Sequence, residues 1–216
     1  MRYADRADAG KRLAFGVADV LGDIPAQIPV VLGIPRGGVI VGAEVARAIS
    51  GDLDLVLARK IGAPGNPELA IGAVGEQGEP VLSHGLISQL GVTEAFLERA
   101  ITQARDELVR SIERFRRDRA AVDIAGRVAV VVDDGIATGA TLRATLRTVR
   151  ERSPSVLVCA VPVGPAESVA AIAAEVDEMV CPLQPRWFRA VGEWYGEFTQ
   201  TTDEEVAAAL REFGRG

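Results

Sequence analysis

The sequence predicts an α/β fold, a doubly wound and mostly parallel sheet carrying a small hood subdomain. Three observations predict it. The apolar stretch 30–34, the unbroken apolar run 128–132 and the segment 155–163 read as short strands buried in a parallel sheet. Helical patterns separate those runs, giving the alternation of strand and helix that builds such a sheet. Two of the runs lead through a glycine-containing turn straight into a helix, at 35–39 and 133–141. A chain of 216 residues is long enough for one such domain with a full core. The expected organisation is a single domain over 1–216, with the hood drawn from about 68–92 and/or 183–202.

The elements follow in order. Leu13, Val17, Val20 and Leu21 share one side of a helix predicted over 5–21, which Pro25 and Pro29 terminate. The strand Val30–Ile34 passes through Pro35-Arg36-Gly37-Gly38 into a helix over 39–49. The next strand is predicted over 53–58, ending in Arg59-Lys60 and a Gly/Pro loop. Residues 68–76 and 79–82 read as a hairpin turning through Gln77-Gly78. His84 lies just beyond it and reads as a structural or solvated turn residue. Residues 92–119 contain no Gly or Pro, and Phe96, Leu97, Ile101, Leu108, Ile112 and Phe115 recur at helical spacing. This long helix is rich in Arg, including Arg117. Acids such as Glu98, Asp106, Glu107, Glu113 and Asp118 alternate with the cations, which favours a solvated face over an RNA-binding one. Strands over 155–163 and 177–181 flank a helix over 169–175. A last helix covers 203–213, with Thr202 as N-cap and Glu205 at capping-box spacing.

Charge and cysteine content exclude several function classes. A net charge of −6 and a pI of about 5.0 argue against a general binder of nucleic acid or anionic membrane. No segment reads as a signal peptide or bilayer span, so a cytoplasmic location is expected. Cys159 and Cys181 lie in apolar runs and read as reduced core thiols; with a single His they cannot build a structural zinc site.

Chemistry concentrates in 127–141. The apolar run Val128–Val132 ends at two adjacent carboxylates, Asp133 and Asp134, followed by Gly135-Ile136-Ala137-Thr138-Gly139-Ala140-Thr141 and a helix. A helix N-terminus presents outward backbone N–H groups and the positive end of the helix dipole, so it suits an anion. Gly139 admits close backbone approach, and Thr138 and Thr141 add hydroxyls. Two carboxylates beside a phosphate make sense only if they face another part of the ligand, such as a sugar diol or a bound cation. A ligand combining phosphate, diol and metal-chelating diphosphate is 5-phosphoribosyl-1-pyrophosphate, PRPP. The Arg36-Gly37-Gly38 turn supplies a second anion site, where the guanidinium can fork onto phosphate oxygens.

Val130-Val-Val-Asp-Asp-Gly-Ile-Ala-Thr-Gly-Ala-Thr141 resembles the PRPP-binding signature of the type I phosphoribosyltransferases, and the likeness extends over most of the chain from about Val30 onward. It differs from a Walker A loop, which ends in Gly-Lys-Ser/Thr. The resemblance implies a transferase of nucleotide metabolism, of the purine-salvage type. It would move a phosphoribosyl group from Mg-PRPP to a nitrogenous, purine-like base. It implies Asp133 and Asp134 as the catalytic pair, holding the ribose hydroxyls and Mg²⁺ directly or through water. It implies Ala137, Thr138, Gly139, Ala140 and Thr141 as the 5-phosphate loop. Arg36, Gly37 and Gly38 resemble the pyrophosphate loop, and Arg59-Lys60 resembles residues that contact pyrophosphate in adenine-type enzymes. Glu76 would be a contact within a mobile cover. Hypoxanthine-guanine enzymes carry a third Asp where Ala137 stands, so that acceptor assignment does not carry over and no general base is named.

Aromatic residues are 5% of the chain, yet Trp187, Phe188, Trp194 and Tyr195 cluster near its end. Trp187 or Phe188 is similar in placement to the base-stacking aromatic of purine enzymes; the alternative is an apolar plug fixing a loop on the core. The expected partners are PRPP and a small-molecule base, without nucleic acid or membrane, in a homodimer. Two rival functions stand beside this one. A PRPP-sensing regulator without turnover shares the fold, but the acidic pI and the lack of a DNA-binding segment in this sequence count against it. A dehydrogenase is disfavoured because Gly37-Gly38-x-x-x-Gly42 is not a Gly-x-Gly-x-x-Gly turn.

Overall fold

A computed structural model describes residues 2–22, 24, 28–77, 79–116 and 119–213. Pro25, Gly78, Arg117 and Asp118, invoked above, lie outside those residues. The chain divides into two compact units, Met1–Val56 with Ala121–Gly139 and Ser153–Gly216, and Leu57–Ala120 with Ala140–Arg152.

The first unit begins with α1 (Arg6–Gly22), β1 (Val30–Gly33), α2 (Gly37–Ala48) and β2 (Asp52–Leu55). The second unit contains β3 (Ala58–Ala63), β4 (Asn66–Gly75), β5 (Val81–Leu82), α3 (His84–Gln89) and α4 (Glu94–Phe115). Next come β6 (Val128–Val132) in the first unit and α5 (Ala140–Arg150) in the second. The first unit resumes with β7 (Val156–Ala160), α6 (Ala166–Ala173), β8 (Glu178–Val180), a 3₁₀ turn (Val191–Trp194) and α7 (Asp203–Glu212).

The five strands of the first unit form one parallel sheet in the order β2-β1-β6-β7-β8. All four residues of β1 and all five of β6 are buried, as expected for strands covered on both faces. The α/β class and the parallel sheet are therefore as the apolar runs predict. In strand order, the chain first steps outward from β1 to β2 and later outward from β6 to β8. The direction of winding reverses between β1 and β6, which pair directly from Val30↔Ala129 to Gly33↔Val132. Open α/β sheets bind ligands at such a reversal, outside the carboxyl ends of the strands. The two turns that stand there are 34–36 after β1, which leads into Gly37 and Gly38 at the start of α2, and 133–139 after β6.

α1 packs closely on α2: a Cβ placed on Gly10 would come within 2.6 Å of the Val41 carbonyl. The buried face of α1 contains Ala9, Gly10, Leu13, Ala14 and Val17. Thr202 caps α7 with both halves of the capping box in place: its hydroxyl accepts from Glu205 N–H, and the Glu205 carboxylate accepts from Thr202 N–H at 2.7 Å. Cys159 is fully buried and Cys181 half-buried, both free thiols.

The second unit holds a three-stranded antiparallel sheet, β3-β4-β5. Here the structure departs from the sequence reading. The apolar run 53–58 is two strands of different sheets: β2 stops at Leu55 and β3 starts at Ala58. The Leu57 N–H is taken by the Glu76 carboxylate at 3.0 Å instead of by a parallel neighbour. Arg59 and Lys60 consequently lie inside β3, paired with Val74 and Ala73, and not at the end of a parallel strand. The hairpin pairing is present between β4 and β5, at Gly72↔Leu82 and Ala73↔Val81. A short helix, α3, opens at His84; the sequence reading missed it. The long helix starts at Glu94, capped by the Thr93 hydroxyl, which accepts from Phe96 N–H. Among the described residues no helix is long and apolar enough to cross a membrane.

Candidate active site

The acidic pair sits where β6 ends. Asp133 turns one carboxylate oxygen back onto the next peptide, accepting from Asp134 N–H at 2.9 Å. Asp134 presents Oδ2 to Arg6, whose Nε donates at 2.8 Å, and its own carbonyl accepts from the Tyr195 hydroxyl at 2.5 Å. Burial raises the pKa of both carboxyl groups, and the charge of Asp134 raises Asp133 further, well above the usual carboxylate range. The Arg6 guanidinium opposes the rise at Asp134. Two adjacent, partly desolvated carboxylates with one cation between them form a charge-strained cluster of the kind concentrated at functional sites.

The turn after β1 lies beside this pair. The Pro35–Arg36 peptide is cis, and Arg36 occupies the N-cap position of α2 without a side-chain cap. Its Nη1 stands 3.8 Å from Asp203 Oδ1. Gly37 touches the Asp134 carboxylate and the Arg6 guanidinium so closely that any side chain there would collide with both. Gly38 faces the Val132 carbonyl and the Asp133 Cα with equally little room. The glycines thus let the two turns come into backbone contact. The first unit therefore brings Arg36, Gly37, Gly38, Asp133 and Asp134 together.

Beyond the acids, Ala137 and Thr138 are exposed, and the Ser168 hydroxyl donates to the Ala137 carbonyl at 2.8 Å. Gly139 has φ of +74°, a conformation that costs a side-chain-bearing residue about 1 kcal/mol or more. Ala140 and Thr141 then open α5, which belongs to the second unit.

Within the second unit, a cleft of about 520 Å³ is lined by Arg59, Lys60, Phe96, Gln103, Glu107 and Thr141, among others. It gathers both cations of β3 and the first-turn threonine of α5, residues assigned above to pyrophosphate and phosphate. Arg59 is braced by Ser111, to whose hydroxyl Nη2 donates at 2.5 Å, and by its own strand through the Ala58 carbonyl at 2.9 Å. Glu76 is engaged differently from the cover contact expected of it. Its carboxylate is buried in an ion pair with Arg116, with Nη2 at 2.9 Å from Oε1, and also accepts from Leu57 N–H.

Of the two candidate stacking aromatics, Trp187 is 82% exposed. Phe188 is half-buried against Tyr3, Val163 and Tyr195, which is the packing of a plug. The sequence reading did not single out Arg6, Tyr3, Tyr195 or Phe198 as part of the site. Arg6 lies 4.0 Å from the centre of the Phe198 ring, which stacks on Tyr195 at 4.9 Å, and Tyr195 in turn meets Tyr3 at 5.6 Å. Among the described residues no group of three or more His, Cys, Asp or Glu is arranged to hold a metal by itself.

Residues 3–195 match the model of the phosphoribosyl transferase domain family. Two proteins of Mycobacterium tuberculosis, from strains CDC 1551 and H37Rv and each named "Putative phosphoribosyl transferase", are 45% identical over 208 residues. That alignment covers 96% of this chain and 46% of theirs, so the chain spans about half the length of these curated relatives. The crystal structure of TT1426 from Thermus thermophilus is 46% identical, with a TM-score of 0.91 over the whole of both chains. The match over nearly the full length means that the chain belongs to the phosphoribosyl transferase domain family.

Proposed function

We propose that this protein transfers the 5-phosphoribosyl group from Mg-PRPP to a ring nitrogen of a purine-like base and releases pyrophosphate. One observation carries the reading: the Asp133–Asp134 pair and the Arg36-Gly37-Gly38 turn meet where the winding of the parallel sheet reverses. That juxtaposition offers acceptors for a diol next to N–H donors and a cation for phosphate oxygens.

In this reaction the bond from the anomeric carbon to the diphosphate oxygen breaks, an oxocarbenium-like ribosyl group forms, and the base nitrogen takes its place. The protein's work is positioning and charge neutralisation. Asp133 and Asp134 hold the ribose 2- and 3-hydroxyls and stabilise positive charge on the ring. The backbone and hydroxyls of Ala137, Thr138, Gly139, Ala140 and Thr141 take the 5-phosphate at the start of α5. Arg36, with the amides of Gly37 and Gly38, and the cations Arg59 and Lys60 neutralise the departing pyrophosphate. Trp187 offers an exposed ring for the base.

The donor set suits magnesium. That ion takes one or two carboxylates together with substrate phosphates and seldom a complete protein cage, and a pair of carboxylates is what stands here. Asp133 and Asp134 would hold it, directly or through water; when bound it lowers the basicity of the leaving diphosphate.

The test is pyrophosphate release from Mg-PRPP across a panel of purine and pyrimidine bases. Release with a purine-like base supports transfer to that acceptor. Tight PRPP binding with no release for any base would overturn the enzymatic reading in favour of a PRPP sensor.

A further inference from the structure

Arg6 is the third component at the junction of the two turns. It comes from the first turn of α1, 128 residues before Asp134, and its side chain is only 13% exposed. Every face of its guanidinium that the structure specifies is engaged. Nε donates to Asp134 Oδ2 at 2.8 Å, Nη1 donates to the Thr199 carbonyl at 2.7 Å, and the plane lies 4.0 Å from the Phe198 ring centre. The segment that carries Phe198 and Thr199 is itself tied down next to Arg6: Gly196 N–H donates to the Tyr3 carbonyl at 2.7 Å and Glu197 N–H to the Ala4 carbonyl at 2.8 Å. Tyr195 from the same segment donates to the Asp134 carbonyl. Asp134 is therefore held at its side chain by Arg6 and at its backbone by Tyr195.

Gly37 shows what the clamp does. The Cα of this residue in the turn after β1 rests against both partners of the Arg6–Asp134 pair, in the space a side chain would need. The charged hydrogen bond thus fixes the carboxylate against the neighbouring turn, with a donor rigidified by a fork and an aromatic platform. We propose that Arg6 is a positioning residue of the active site: it locks the Asp134 carboxylate against Gly37, so that the acidic turn and the glycine turn address one ligand in a fixed relation. This rests on the PRPP reading for its consequence, since Asp134 is the residue that meets the ribose. It does not rest on that reading for the placement itself. A misplacement of about 1 Å in such a group can cost about 100-fold in rate, so the lock has functional weight although Arg6 touches no reacting atom.

The experiment uses Arg6→Gln and Arg6→Lys in the full chain, with thermal unfolding as a control of folding. Two readouts are taken: the crystal structure of each variant and its affinity for Mg-PRPP. In Arg6→Gln the Asp134 carboxylate is expected to leave Gly37, and Mg-PRPP affinity to fall by about tenfold or more. Arg6→Lys, which keeps the charge but loses the fork and the flat contact with Phe198, is expected to fall between that variant and the parent. An Asp134 carboxylate that stays on Gly37 in Arg6→Gln would overturn the proposal, as would a folded Arg6→Gln with parental Mg-PRPP affinity. If Arg6→Gln does not fold, Arg6→Lys decides in the same way. A parent protein that fails to bind Mg-PRPP would overturn the proposed function instead, and the structure of the variant would still judge the positioning role.

Discussion

Each unit of this molecule buries a carboxylate cluster, and the two are satisfied to different degrees. In the second unit, Glu76 and Arg116 are 9% and 5% exposed at their side chains, and the guanidinium forks onto the carboxylate. Leu57 N–H supplies a further donor. In the first unit, Asp133 and Asp134 are adjacent, share one cation, and have their carboxyl pKa values raised by burial. The paired cluster follows the rule for structural buried charge, which is tolerated when partnered and hydrogen-bonded. The acidic turn violates it. Under-compensated charge of this kind is concentrated at functional sites, in keeping with the ligand role proposed for the acidic turn.

The comparison can be broken from either side. The largest stability effect belongs to the paired cluster. Glu76→Ala breaks this buried ion pair and takes the acceptor from Leu57 N–H, which is expected to cost about 3–5 kcal/mol. For a chain of this size each kcal/mol is worth about 2–4 °C in Tm, so calorimetry will show a fall on the order of 10 °C. A change within a degree would show that the buried pair is not structural.

The acidic turn should respond in the opposite direction. The folded pKa of Asp133 is raised above its unfolded value. Its contribution to stability is therefore present below the unfolded pKa and is lost as pH rises through the folded one. The wild-type protein therefore loses that contribution as pH rises toward neutral. Asp133→Asn removes the charge and keeps an oxygen to accept from Asp134 N–H. In Mg-free buffer it is expected to raise Tm at pH 7 by about 2–4 °C, on the order of 1 kcal/mol. The gain should vanish toward pH 4 and below, where the wild-type carboxyl is also neutral. A lower Tm at pH 7 would remove the basis of the comparison.

The smallest effect is a calibration. Thr202→Ala removes an exposed helix cap that has no part in the site, and should cost about 1 kcal/mol at any pH between 5 and 8. A larger or pH-dependent loss would mean that the segment ahead of α7 contributes more than a cap.

How much of this was legible in the sequence follows the range of the interactions. The Val128–Val132 strand, the acids at its end and the Thr-Gly turn are local features, and composition alone marks them. The glycine turn after β1 was equally visible, but its contact with Asp134 depends on β1 and β6 being neighbours, which no local pattern states. Arg6 was not legible: in the first turn of an amphipathic helix, a cation reads as a solvated face, and its partner is 128 residues away. Arg59 and Lys60 were assigned to the wrong kind of strand because Val56 and Leu57 continue the apolar run across a change of sheet. Helix α3 is six residues long and buries none of them, so it has no periodic signal to read. Glu76 was expected as a contact within a mobile cover, and only the fold brings Arg116 to it.

The most direct test of the central claim is the affinity of Asp134→Asn for Mg-PRPP, measured by titration calorimetry beside the wild-type protein. The substitution keeps the size of the side chain and removes the charge that the ribose and its cation are proposed to need. The expected result is binding by the wild-type protein and none by a folded Asp134→Asn. Equal affinities in the two proteins would contradict the assignment of the acidic pair to PRPP.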